Sequence, residues 1–121
     1  MAAARGVRVQ VTRIDGPVVA WCDPARIGQV LRNLASNGLK FTPASGMVEM
    51  MFRMGDRGGM PVVIASVSDE GPGIPESELE SIFDKFVQSS QTKSGAGGTG
   101  LGLSICREIV HHHRGRIWAE N

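Results

Sequence analysis

Between Asp69 and Ile105 the chain reads Asp-Glu-Gly-Pro-Gly-Ile-Pro, then an acidic amphipathic run, then a polar glycine-bearing loop, then Gly-Gly-Thr-Gly-Leu-Gly-Leu-Ser-Ile. Two glycine turns bracketing a loop, the second opening into an apolar helical pattern, suit a backbone that must come close to a phosphorylated nucleotide. Glycine has no Cβ to obstruct that approach and accepts positive φ at little cost. A helix beginning at Gly100 would aim its unpaired N–H groups and the positive end of its dipole at whatever lies over the glycines, and phosphate is the usual occupant.

A second set of chemistry-bearing residues lies upstream. Asp23-Pro24 supplies an N-cap carboxylate followed by proline at the first helical position. Ile27, Val30, Leu31, Leu34 and Gly38 then recur at helical spacing, which predicts a helix to about Phe41 with one face packed on a sheet. At 100° per residue Gln29, Asn33, Asn37 and Lys40 share a neighbouring stripe. Amide oxygens suit a hard Mg2+ ion on a triphosphate, and lysine suits phosphate oxygens. A solvated helix flank is the plainer account of the same residues taken alone. Asp69 ends a strand pattern in which Val63, Ala65 and Val67 share its face. A carboxylate there needs a donor, for which the exocyclic amine of adenine is one candidate and the aspartate's own turn another.

Two commoner phosphate cradles fit poorly. Gly95-Ala96-Gly97-Gly98-Thr99-Gly100 matches G-x-G-x-x-G, but the polar run before it is not the buried strand a dinucleotide fold requires. No glycine is followed by lysine, so the P-loop pattern is absent. Composition narrows the rest. The 121 residues fit one domain, and 13 basic against 12 acidic residues carry no broad nucleic-acid or membrane footprint. Cys22 and Cys106 form no C-x-x-C, so reduced thiols in a cytoplasmic domain are expected rather than a zinc site or a disulfide. The start lacks the apolar core of a signal peptide, and no apolar run approaches the ~20 residues of a membrane span.

The elements that must position these residues read as follows. Val7, Val9 and Val11 alternate with polar residues and predict a half-buried strand; Val18 to Cys22 predicts a second, more fully buried one. Val48, Met50, Phe52 and Met54 form the apolar face of a further strand. Gly55 to Gly59 reads as a hairpin loop, and Pro61 to Asp69 as the partner strand. A short helix starts at Pro75, with Ile82, Phe83, Phe86 and Val87 on its apolar edge. Thr99 is a candidate cap for the last helix, which His111, His112 and His113 close. Three consecutive histidines share no face, so imidazoles near a helix C-terminus are expected there rather than a metal site. Arg116 to Asn121 begins a final strand.

In this order the motifs resemble the catalytic ATP-binding domain of sensor histidine kinases, in the GHKL superfamily. Gln29 to Pro43 resembles the N box, Asp69 to Pro75 the first glycine box, Ile82 to Phe86 the phenylalanine box and Gly98 to Leu103 the second glycine box. The resemblance covers almost the whole chain. It implies a two-layer α/β sandwich of Bergerat type: a mixed, mostly antiparallel sheet of about five strands on about three helices, with a mobile ATP lid from Gln88 to Gly98. It implies Mg2+ on Asn37 with Asn33 assisting, Lys40 on phosphate and Phe41 flanking the base. Asp69 would accept from adenine, with Gly71, Gly73 and Ile74 shaping the purine pocket and Phe86 lining the nucleotide site. Gly98, Thr99, Gly100, Leu101 and Gly102 would hold the triphosphate, and Lys93 would reach the γ-phosphate from the lid.

The hydrolase branches of this superfamily carry glutamate four residues before the metal asparagine, where attack on phosphorus by water needs a general base. That position here is Asn33. A neutral imidazole already offers a lone pair, so the resemblance favours a histidine kinase over a free-standing ATPase, and four intact boxes argue against a nucleotide-sensing module. Three departures stand beside it. Gly38 replaces the usual alanine, Arg114-Gly115 replaces a glycine pair, and the chain stops where one further strand is expected. No acceptor His-Glu or His-Asp pair is seen. The expectation is a single catalytic domain over 1–121 whose partners are ATP, the helical histidine-bearing domain of the same parent and, indirectly, a response regulator.

Overall fold

The structure is a computed structural model, and it describes residues 6–14, 16–84 and 102–121. Local signals set the longest helix, α1, at Pro24–Phe41. The Asp23 carboxylate accepts from the N–H groups of Ala25 and Arg26, as an N-cap should, and Pro24 stands where no N–H is needed. At the other end Pro43 forbids continuation, and Thr42, fully buried, returns its N–H to the carbonyl of Gly38.

Strand β1 (Arg8–Arg13) runs parallel to β2 (Met47–Arg57), which pairs antiparallel with β3 (Met60–Ser68), in the order β1-β2-β3. A parallel pair needs a crossover, and α1 supplies it between β1 and β2. The register sets Met50 opposite Val67, Phe52 opposite Ala65 and Met54 opposite Val63, so the two apolar rows share a face. The expected loop at Gly55 to Gly59 is shorter than its composition suggests. β2 continues to Arg57, and a two-residue turn at Gly58 and Gly59, both at positive φ, closes the hairpin.

Two short 3-10 turns, Glu76–Glu78 and Ser81–Phe83, follow, and they bury Ile82 and Phe83. Helix α2 (Gly102–His112) packs along α1. Val30, Cys106 and Ile109 form the core between the helices, with Ile27, Leu34, Val110 and Ile117 against it. The apolar face of α1 therefore meets α2 as well as the sheet. It reaches the sheet at Gly38, where an added Cβ would lie 3.1 Å from a methyl of the wholly buried Val48.

The two-layer α/β arrangement with a mixed sheet is as expected, but among the described residues the sheet has three strands rather than about five. Val18 to Cys22 forms no strand: Val19 is 87% and Trp21 103% exposed, and no strand among the described residues pairs with the run. Arg116 to Asn121 keeps a period of two, with Ile117 and Ala119 half-buried between exposed neighbours, yet no described strand pairs with it. No helix among the described residues is long and apolar enough to cross a membrane.

Candidate functional site

The two helices run antiparallel, and the contacts between them set their register. His113, just past the end of α2, accepts the N–H of Asp23 on Nε2 at 3.0 Å. Its Nδ1 lies 2.8 Å from the carbonyl of Ile109, so Nδ1 carries the proton. Further along, the amide of Asn33 donates through Nδ2 to Sγ of Cys106 at 3.7 Å, and that thiol points at the carbonyl of Val30, 3.9 Å away. One turn on from Asn33 is Asn37, and one turn back from Cys106 is Gly102. Antiparallel travel brings the Asn37 turn of α1 level with the opening of α2. Burial pushes the Cys106 thiol above its ordinary pKa, with the Asn33 hydrogen bond pulling weakly the other way.

The end of β3 comes to the same turn of α1. The Cβ of Asp69 lies 3.4 Å from where a Cβ on Gly38 would stand, so the carboxylate-bearing residue is next to the helix position that follows Asn37. Beyond Ser68 the ladder stops, and side chains hold the loop instead. Asp69 Oδ1 accepts the N–H of Gly71 at 2.8 Å. Glu70 donates its N–H to Thr42 Oγ1 at 3.3 Å and accepts the Met47 N–H on Oε1 at 2.6 Å. Gly71 presses on the helix terminus: a Cβ there would lie 3.0 Å from the Phe41 carbonyl oxygen. The end of α1 and the first glycine turn are thus in backbone contact.

The model for histidine kinase-, DNA gyrase B- and HSP90-like ATPases matches residues 22–121. The chain belongs to this ATPase family. Among curated relatives, the adaptive-response sensory kinase SasA of Synechococcus sp. (strain CC9311) is 48% identical over 98 residues, covering 81% of this chain and 25% of its own length. The sensor histidine kinase WalK of Bacillus subtilis (strain 168) is 40% identical over 100 residues, covering 82% of this chain and 16% of WalK. The chain therefore spans a quarter or less of the length of these relatives. The solved catalytic domain of histidine kinase ThkA superposes with a TM-score of 0.75 at 32% identity, over 99% of this chain and 75% of that one. ThkA has also been solved in complex with the response regulator protein TrrA.

In this member of the ATPase family, Asn33, Asn37, Phe41, Gly71 and Ile74 are half-buried, while Lys40, Asp69 and Gly73 are exposed. The C-terminal half of α1 and the loop after β3 gather these residues at one end of the helix layer. Gly102 opens α2 there, and among the described residues no other segment comes within 4 Å of where its Cβ would stand. Phe86, Gly98, Thr99, Gly100 and Leu101, the lid from Gln88 to Gly98 and its Lys93 lie outside the described residues. A depression of about 280 Å3 runs along the outer face of α2, by Ser104, Arg107, Glu108, His111 and His112. No sequence-predicted site residue lines it. Sequence reasoning missed Cys106, His113 and Asn121 as side chains that hold site elements. Each acts on a distant segment, and no local motif announces such a pair.

Proposed function

We propose that this chain is the nucleotide-binding catalytic unit of a sensor histidine kinase, taking ATP and passing its γ-phosphoryl group to a histidine on a separate helical domain of the same parent protein. The observation that carries the reading is the convergence at Gly38: Asn37 next to it in α1, Asp69 against it from the loop after β3, and the start of α2 level with that turn. The named kinases among the relatives point the same way.

The donor set fits magnesium nucleotide. By the family resemblance the protein ligands for Mg2+ would be the amide oxygens of Asn37 and Asn33, which suit a hard cation. When bound, the cation would neutralise charge on the phosphate oxygens. Lys40, on the same helix stripe, adds positive charge for phosphate. Asp69, oriented by its bond to the Gly71 N–H, offers acceptor oxygens to an exocyclic amine. Gly71, Gly73 and Ile74 form the backbone wall beside it, with Phe41 at the base. The positive end of the α2 dipole at its N-terminus favours an anion. Transfer then needs the acceptor imidazole in its neutral form: its lone pair forms the N–P bond as the bond from phosphorus to the ADP oxygen breaks.

Asn33 separates this reading from hydrolysis. It stands where a hydrolase needs a carboxylate base, and its amide is committed as a donor toward Cys106. A response regulator would receive the phosphoryl group afterwards, as the ThkA–TrrA complex suggests by kinship, and a cytoplasmic location follows from that role. The experiment is to mix the chain with a helical hairpin bearing the acceptor histidine and with ATP labelled at the γ-phosphate. Acid-labile label on the hairpin is the expected result. Mg2+-dependent phosphate release by the chain alone would favour an ATPase, and nucleotide binding with neither outcome would favour a sensing module.

A further inference from the structure

The loop after β3 is held on its downstream side by one residue from the far end of the chain. Ile74 donates its N–H to Asn121 Oδ1 at 2.9 Å, and Asn121 Nδ2 donates back to the Ile74 carbonyl at 2.7 Å. One carboxamide thus supplies both halves of a strand-like pairing. The loop has few other means of being held. Pro72 and Pro75 have no N–H, and the Gly71 N–H is already given to Asp69. Gly73, between them, sits at φ +80°, and a Cβ there would meet Asn121 Oδ1 at 3.0 Å. Glycine at this position is what lets the amide reach Ile74. Asn121 in turn is carried by a segment whose Ile117 packs on the Val30, Cys106 and Ile109 core.

We propose that Asn121 is a positioning residue for the purine side of the nucleotide site, acting through Gly73 and Ile74 rather than touching the ligand. This rests on the nucleotide reading above. The upstream end of the loop is fixed by Asp69, Glu70 and Thr42, all near α1. Asn121 fixes the other end, so the wall from Gly71 to Ile74 is held taut beside the Asp69 carboxylate. Both Asn121 bonds are solvent-exposed, so their loss is felt in loop geometry more than in global stability.

The test uses the whole chain with Asn121→Asp, which keeps shape but sets a carboxylate oxygen against the Ile74 carbonyl, and Asn121→Gln, which keeps the two-way amide. Hydrogen exchange at the Ile74 amide and calorimetric ADP affinity are read together with the melting temperature. The expected result for Asn121→Asp is Ile74 exchange about tenfold faster and ADP affinity about tenfold weaker at near-wild-type melting temperature, with Asn121→Gln recovering most of both. Wild-type ADP uptake that Asn121→Asp leaves unchanged would overturn this proposal alone, as would an affinity loss that merely tracks a lowered melting temperature. No ADP uptake by the wild-type chain would overturn the nucleotide reading and this proposal with it.

Discussion

The Cβ that Gly71 lacks would stand 3.0 Å from the carbonyl oxygen of Phe41. A backbone oxygen cannot swing aside as a side-chain tip can, so the first glycine turn and the end of α1 are fitted to each other. Gly71→Ala is therefore expected to destabilise the fold by about 1–3 kcal/mol, the usual range for forcing an atom into a packed site. Urea unfolding measures it, and an alanine variant as stable as wild type would mean that the two backbones are not in contact.

His113 predicts a contrast within the histidine run. Its ring joins the N-terminus of α1 to the last turn of α2 through both nitrogens, whereas His111 and His112 are exposed. His113→Ala should cost about 1 kcal/mol in urea unfolding. Alanine at His111 or His112 should stay within about 0.5 kcal/mol of wild type. Equal effects at all three positions would contradict the tie.

Cys106 predicts an alkaline limit. Burial disfavours its thiolate, so the folded-state pKa lies above the unfolded one. Below the ordinary thiol pKa of about 8.5 both states hold the proton and this group adds no pH dependence. Above it the unfolded chain releases the proton first, binds fewer protons than the folded one, and stability falls as pH rises. Unfolding followed from pH 7 to 10 should show that decline, and Cys106→Val should lessen it. In the folded chain at neutral pH an alkylating reagent should take Cys22, which is exposed, and leave Cys106 until urea is added.

The parts legible in the sequence were those with local causes. The bounds of α1 follow from Asp23-Pro24 at one end and Pro43 at the other, and the strand patterns of β2 and β3 follow from alternation. The stripe of Asn33, Asn37 and Lys40 follows from helical periodicity alone. What was not legible depends on distant partners. Val18 to Cys22 is apolar enough for a strand, but apolarity does not name a neighbour, and all of the run but Val18 lies exposed. Asp23 and His113 are 90 residues apart, Asn33 and Cys106 73, and Ile74 and Asn121 47. Gly38 shows a subtler limit. By propensity it weakens α1 by up to ~1 kcal/mol relative to alanine. In the fold a Cβ there would meet both methyls of Val48, at 3.1 and 3.2 Å, so glycine gives the helix its close approach to the sheet, with Asp69 Cβ 3.4 Å from the same point.

We propose that Asn37, Asp69 and the first glycine turn bound one site for magnesium nucleotide. Calorimetric titration of wild type and Asn37→Ala with ATP, with and without Mg2+, tests it most directly. The account predicts saturable binding by wild type that strengthens with Mg2+, and a folded Asn37→Ala variant whose affinity no longer responds to the cation. Wild type that takes up no ATP, or an Asn37→Ala variant with undiminished Mg2+ dependence, would contradict it.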